Sequence, residues 1–402
     1  MQAFGIRLGR LFGIELRIDY SWFILFVLIG VTITAGLVPA LFPELGVATA
    51  TTLGIIITLL FFVSVIIHEL SHSLYAKSQG LEVRRITLFL FGGMSEILEE
   101  PRSPRQEFIM AAAGPLASFA LSLVFGFVWL LGAEINFVPL VAVGGILASV
   151  NFVLAVFNLL PGLPLDGGRI LRSIVWRIKG SAEEGTRAAA TGGKILSYLL
   201  IFWGVIQLAL FNLLGGIWLI LIGLFLNRAV AISYEQAMSR LLLKDVLVKH
   251  FMNRRVAKIP GDTTVEAFLE QHVLQHKEQV LPIVADDGTL IGMLDTELLP
   301  QAEPSKKIAQ FAIKDNYTIH PEDPASKALD HMTRSGLSAA PVTWKNGRVA
   351  GVLPMYRIKT YLLGMHKLQY IHDRTNRSTD MAPAKPRRKQ KRNSPANTRS
   401  TK

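Results

Sequence analysis

Long apolar segments alternate with short charged ones through the first 234 residues of the chain. Six apolar runs have the length that crosses a bilayer, which takes about 20 residues in a helix. They cover residues 20–42, 51–76, 108–131, 138–160, 195–211 and 214–232. The first run is too long for the apolar core of a cleaved signal peptide. The pattern therefore predicts an α-helical polytopic membrane domain over residues 1–234.

Basic residues lie in alternate loops between these runs. Lys and Arg follow the second, fourth and sixth runs, whereas the connections 43–50 and 132–137 contain neither residue. Cytoplasmic loops carry the excess of Lys and Arg in membrane proteins. We therefore expect a multi-pass protein with both termini in the cytoplasm, in the membrane of a prokaryotic cell.

Residues 81–98 have a different pattern from the six runs. Val83, Ile86 and Leu88 alternate with other residues, and Gly92 and Gly93 follow. This predicts short strands with a turn or kink at the two glycines. Strands at membrane depth must be covered by protein or line a cavity, because their backbone groups need partners.

The part of the chain after residue 244 contains a two-fold repeat with soluble α/β character. Val280-Leu-Pro-Ile-Val and Leu290-Ile-Gly in the first unit correspond to Ser338-Ala-Ala-Pro-Val and Val349-Ala-Gly in the second. Each unit reads strand, helix, strand, turn, strand, helix. The repeat predicts a linker over 235–244 and two small domains over 245–300 and 301–365.

This repeat resembles a tandem pair of CBS domains. The resemblance implies a regulatory module, and many such pairs bind adenosine nucleotides. Asp295 and Pro354 stand where the ribose-contacting residues are expected, so we expect adenosine nucleotides to bind weakly or not at all. A homodimer formed through the CBS pair is a further partner that the resemblance allows.

The net charge of +12 is concentrated at the carboxyl end of the chain. Residues 374–402 carry ten Lys or Arg and one Asp, and the tail 366–402 lacks an apolar pattern. We predict a disordered, solubilising tail, with contact to anionic lipid headgroups as the alternative. The distribution argues against specific nucleic-acid binding. Because the chain has no cysteine, a metal would need His, Asp or Glu ligands.

The second apolar run contains a candidate metal site. His68, Glu69 and His72 form the pattern H-E-x-x-H. On a helix, residues four apart share a face, so the two imidazoles could hold one zinc ion while Glu69 acts on its water. A carboxylate at the bilayer centre costs roughly 2.5–3.5 kcal/mol, so such a residue is a functional candidate. A polar cluster that ties helices together is the alternative.

A catalytic zinc usually takes a third protein ligand. The membrane part has no other His, and its acidic candidates on the expected side are Glu96, Glu99, Glu100 and Asp166. Asp166 follows the fourth run after two prolines, at the membrane face where His68 and His72 are expected. His272 and His276 repeat the spacing of four residues, but we interpret them as a solvated face of a soluble helix.

Together, His68-Glu69-x-x-His72 and Asn158-x-x-Pro-x-x-Pro-Leu-Asp166-Gly-Gly resemble the site-2 protease family of intramembrane metalloproteases. With the CBS pair, the resemblance covers nearly all of the chain except its tail. It implies that His68, His72 and Asp166 bind zinc and that Glu69 is the general base. It also implies that Asn158 assists near the active site or the substrate. Phe91-Gly92-Gly93 matches a family segment that lies near the substrate.

These features predict a zinc-dependent intramembrane endopeptidase with one zinc per chain. Its implied substrates are single-span membrane proteins, such as membrane-held regulators of transcription. The alternative is a CBS-regulated membrane ion transporter, whose buried His and Asp would carry ions. No inverted repeat of the spans is evident, which argues against a transporter. An inactive homologue is a third possibility, against which the intact Glu69 argues.

Overall fold

A computed structural model of the chain describes residues 5–89, 92–97, 101–272, 280–296, 299, 303–314 and 318–365. Glu99, Glu100, Phe91, His276 and the basic tail therefore lie outside the described residues. Two compact units are formed, Met1–Met355 and Tyr356–Lys402. The second unit is described over residues 356–365, which are helical.

Helices account for most of the membrane part. They are α1 (Tyr20–Val31), α2 (Val38–Leu41), α3 (Val47–Ser78), α4 (Pro104–Glu134), α5 (Val138–Asn158), α6 (Asp166–Lys179), α7 (Ala182–Ala209) and α8 (Leu213–Leu243). Among the described residues, six segments are long and apolar enough to cross a membrane, which confirms the polytopic prediction. The first combines α1 and α2 with the π-helical segment Thr32–Leu37 between them.

Several helices extend beyond the apolar runs that predicted them. α3 has 32 residues and α4 has 31. α8 continues past the sixth run to Leu243, so most of the predicted linker 235–244 is helical. Hydropathy marks only the segment that contacts lipid, whereas backbone hydrogen bonding continues the helix into the adjoining polar residues.

A four-stranded sheet lies beside α3. Its strands are β1 (Gly5–Leu11), β2 (Ile14–Asp19), β3 (Val83–Phe89) and β4 (Gly92–Ile97), in the spatial order β1-β2-β3-β4. β2 and β3 are parallel, and the other two pairs are antiparallel. The turn predicted at Gly92 and Gly93 is wrong. Gly92 pairs with Phe89, so both glycines belong to β4.

Sequence analysis missed the first two strands. Ile14, Leu16 and Ile18 are buried and alternate with polar residues, which is the period of a half-buried strand. Ile14 and Leu16 pack with Leu70 of α3 and Ile86 of β3 in one apolar cluster. This face of the sheet is thus covered by α3, as strands at membrane depth require.

The repeat forms two α/β units, as predicted. The first contains β5 (Ile259–Pro260), α9 (Val265–His272), β6 (Val280–Val284) and β7 (Leu290–Asp295), and the second contains α10 (Ala325–Ser335), β8 (Ala339–Thr343) and β9 (Val349–Pro354). β6 pairs with β7 as β8 pairs with β9. In the second repeat, the first strand is reduced to a parallel bridge between Ile319 and Val342.

Candidate active site

His68 and His72 project from one face of α3 into the protein. Each has 4% of its surface exposed. Their Nε2 atoms are 3.3 Å apart, because a separation of four residues places both side chains on the same side of a helix. The two imidazoles therefore present ring nitrogens to one point.

The other ring nitrogen of each histidine has a partner on α4. His72 Nδ1 lies 2.6 Å from the carbonyl oxygen of Met110, which can only accept, so Nδ1 carries a proton. His68 Nδ1 lies 2.9 Å from Ser118 Oγ. Contacts of this kind fix the ring orientation of metal-binding histidines. Sequence reasoning missed both partners, which lie on a different helix from the motif.

Asp166 reaches the same point from the first residue of α6. α5 ends at Asn158, and Pro161 and Pro164 prevent helix continuation through the intervening segment. Asp166 Oδ2 is 3.2 Å from His68 Nε2 and 3.3 Å from His72 Nε2. Burial by itself raises the pKa of Asp166, but the hydrogen bonds from the two histidines outweigh it and hold this pKa below its ordinary value. The carboxylate is therefore ionised.

The three ligand atoms fit a tetrahedral metal ion. Zinc bonds of about 2.0–2.1 Å place neighbouring tetrahedral ligands about 3.3 Å apart. The observed triangle has sides of 3.2, 3.3 and 3.3 Å. Within the described part of the chain, these three residues form the one group of His, Asp or Glu with metal-binding spacing.

Gly114 of α4 leaves the space in front of the two imidazoles. A Cβ built at this position would overlap Nε2 of both His68 and His72. α4 therefore closely approaches the Nε2 atoms of both histidines. A larger residue here would fill the space in front of these two atoms.

Glu69 faces β4. Its Oε2 accepts a hydrogen bond of 3.0 Å from Ser95 Oγ. The backbone of Gly93 is so close that a Cβ there would overlap the Glu69 side chain. Glu69 is half-buried, and within the described residues it is not part of the His68, His72 and Asp166 group.

Other predicted residues have separate positions. Asn158 is half-buried at the end of α5 and donates to the Leu154 carbonyl at 3.0 Å, as a helix-end residue does. Glu96, an alternative third ligand, forms an ion pair with Arg85 of β3. His272 is the last residue of α9.

Comparison with protein families matches the two parts of the chain separately. The model of peptidase family M50 matches residues 56–143 and 132–202, and the CBS domain model matches residues 248–297 and 308–364. The first peptidase M50 segment contains His68, Glu69 and His72, and the second contains Asp166.

Named relatives share most of the chain. The sequence is 39% identical to sll0528 of Synechocystis sp., named as a zinc metalloprotease, over 73% of this chain and 76% of the relative. Rip3 of Mycobacterium tuberculosis, similarly named, is 29% identical over 87% of this chain and 90% of the relative. A solved site-2 protease from Methanocaldococcus jannaschii is 30% identical, covers 57% of this chain and 94% of its own, and has a TM-score of 0.39.

Six apolar helices and a His–His–Asp group with metal-binding spacing are the features of a polytopic membrane metalloprotease. The chain belongs to peptidase family M50, the site-2 proteases, in a form that carries a CBS pair after its membrane domain. It is therefore an intramembrane metalloprotease.

Proposed function

We propose that His68, His72 and Asp166 hold one zinc ion per chain and that Glu69 is the general base for peptide hydrolysis. The observation that carries this proposal is the triangle of ligand atoms, whose sides match the edges of a zinc tetrahedron. The relatives named as zinc metalloproteases support the choice of metal.

Bound zinc supplies a Lewis acid that polarises a peptide carbonyl and acidifies a water molecule. Glu69 accepts the proton of the attacking water and delivers it to the leaving amine. Asp166 stays ionised and provides Oδ2 as the third ligand oxygen. The Met110 carbonyl and the Ser118 hydroxyl contact the Nδ1 atoms of the two imidazoles, so the rings are oriented before substrate arrives.

The substrates in this proposal are transmembrane segments of single-span membrane proteins. The carbonyls of an intact transmembrane helix are hydrogen-bonded, so the segment must unwind before hydrolysis. β4 is the last strand in the spatial order of its sheet, and an extended segment could pair with its outer edge. Because Gly93 lies against Glu69, such pairing would bring the scissile bond to the base. Asn158 is proposed to assist near the substrate.

The CBS pair, residues 245–300 and 301–365, is proposed to tune activity or assembly of the 1–234 protease domain, with a homodimer as one form. Arg240 of α8 forms a 3.0 Å ion pair with Asp330 of α10. Since α8 begins as the sixth span, a conformational change in the second CBS domain could be transmitted through this ion pair to the membrane helices.

Two substitutions separate metal binding from proton transfer. Glu69→Gln keeps the shape of the side chain and removes the base, so zinc content should stay near wild type. Cleavage of a model transmembrane substrate should fall by about 10² or more. Asp166→Ala removes a ligand, so zinc content should fall together with cleavage. Both measurements use purified protein and metal analysis.

Glu134→Gln is the matched control, because Glu134 is exposed at the far end of α4. It should change neither zinc content nor cleavage. Normal cleavage by Glu69→Gln would refute the proposed mechanism. Full zinc content in Asp166→Ala would place the third ligand elsewhere.

A further inference from the structure

The hydroxyls of Ser73 and Ser95 form a short chain that ends on the Glu69 carboxylate. Ser73 Oγ donates to Ser95 Oγ at 3.0 Å, and Ser95 Oγ lies 3.0 Å from Glu69 Oε2. A longer contact of 3.4 Å joins Ser95 Oγ to the Glu69 carbonyl. Ser95 has a single hydroxyl proton, and the shorter contact to a charged acceptor is the stronger one.

Ser73 differs from its neighbours on α3 in where its hydroxyl points. Ser71 and Ser78 donate to carbonyls of their own helix, Ile67 and Tyr75. Ser73 is fully buried and donates across to β4. Because Ser73 gives its proton to Ser95, the Ser95 proton is directed to Glu69.

β4 therefore contacts Glu69 at two points. The Gly93 backbone limits the aliphatic part of the side chain, and Ser95 fixes one carboxylate oxygen. The other oxygen, Oε1, is then oriented by the planarity of the carboxylate. A base held in one orientation loses little entropy when it accepts a proton, which is how positioned groups raise rates.

We propose that Ser95 is a positioning residue for the general base and that Ser73 sets the direction of its hydroxyl. The proposal rests on the proposed role of Glu69. It predicts that removing the Ser95 hydroxyl slows the chemical step while leaving zinc and substrate binding intact. Thr at position 95 keeps the hydroxyl and suits a strand, so it should restore the rate.

The test compares Ser95→Ala, Ser95→Thr, Ser73→Ala and Ser71→Ala in the full-length protein, with Glu69→Gln in parallel. Ser95→Ala should lower kcat about tenfold, the usual scale for a hydrogen bond to a charged group. Its KM should stay within about twofold and its zinc content unchanged. Ser95→Thr should recover most of kcat, and Ser73→Ala should lower kcat about threefold. Ser71→Ala is the control and should match wild type.

The outcomes distinguish this proposal from the proposed function. If Glu69→Gln cleaves normally, the base is elsewhere and the proposed function itself fails. If Glu69→Gln is inactive while Ser95→Ala has wild-type kcat, the positioning role is wrong. Loss of zinc in Ser95→Ala, or failure of Ser95→Thr to recover kcat, would also overturn it, since either result indicates a purely structural role.

Discussion

At the scale of single residues, the site depends on contacts made by residues that carry no chemistry themselves. Gly114 provides space in front of the imidazoles, and Met110 and Ser118 orient the rings from the same helix. α4 thus lines the metal-binding group along more than two helical turns. The tolerance of the site to substitution should therefore be lowest on this face of α4.

Gly114→Ala tests this directly. Its methyl group would overlap Nε2 of both His68 and His72, so we expect zinc content to fall at least tenfold at limiting metal, the scale seen when ligand orientation is disturbed. Metal titration of the purified variant measures the loss. Gly126→Ala on the same helix is the control, because a Cβ there meets open space. Equal zinc affinity in the two variants would contradict the assigned role of Gly114.

At the scale of elements, α6 must be held in place for Asp166 to reach the histidines. Glu107 of α4 and Arg172 of α6 form a buried ion pair, with 3.4 Å between Oε1 and the guanidinium. Glu107 is 0% exposed and the Arg172 side chain 8%. α4 thus contacts both components of the site, α3 through the imidazoles and α6 through this pair. The burial of both charges makes the pair a constraint on helix position.

Glu107→Gln should destabilise the protein substantially. Removing one partner of a buried ion pair typically costs about 3–5 kcal/mol. Thermal unfolding in detergent, with zinc content measured in parallel, should show a lower Tm and weaker metal binding. Glu183→Gln is the control, since the Glu183–Arg187 pair is partly exposed and such pairs contribute about 0–1 kcal/mol. Similar Tm values for the two variants would refute the proposed role of the Glu107–Arg172 pair in fixing the position of α6.

At the scale of the whole molecule, the site lies near one end of the second span. His68 and His72 are in the last three turns of α3, and Asp166 begins α6, which lies between the fourth and fifth spans. Both segments border loops rich in Lys and Arg. We therefore propose that the site opens toward the cytoplasmic face and that both termini are cytoplasmic.

Reporter fusions test this orientation. Fusions after Gly80 and after Gly180 should report the cytoplasm, because basic residues surround both positions. Fusions after Glu44 and after Glu134 should report the opposite face, where the loops lack Lys and Arg. A far-side signal after Gly80 would reverse the proposed topology and with it the side from which substrates are cleaved.

The local sequence determined the features that arise from short-range periodicity. Hydropathy over about 20 residues predicted the spans, a spacing of four residues paired His68 with His72, and the internal repeat predicted the two α/β units. The alternation of Ile14, Leu16 and Ile18 is a strand pattern that could have predicted β2, but the adjoining arginines obscured it. Asp166 lies 98 positions from His68, so no local periodicity links the two. Its prediction as a ligand needed both its position after the fourth apolar run and the family resemblance.

Only the tertiary structure decided which side chains meet across elements. Met110, Ser118 and Ser95 contact the motif from α4 and β4, and nothing in their own segments marks them. Glu96 was an alternative to Asp166 as the third ligand, and the sheet register pairs it with Arg85. The physical reason is that periodicity tells which face of an element is buried, whereas the packing of helices and strands selects the partner at each buried position.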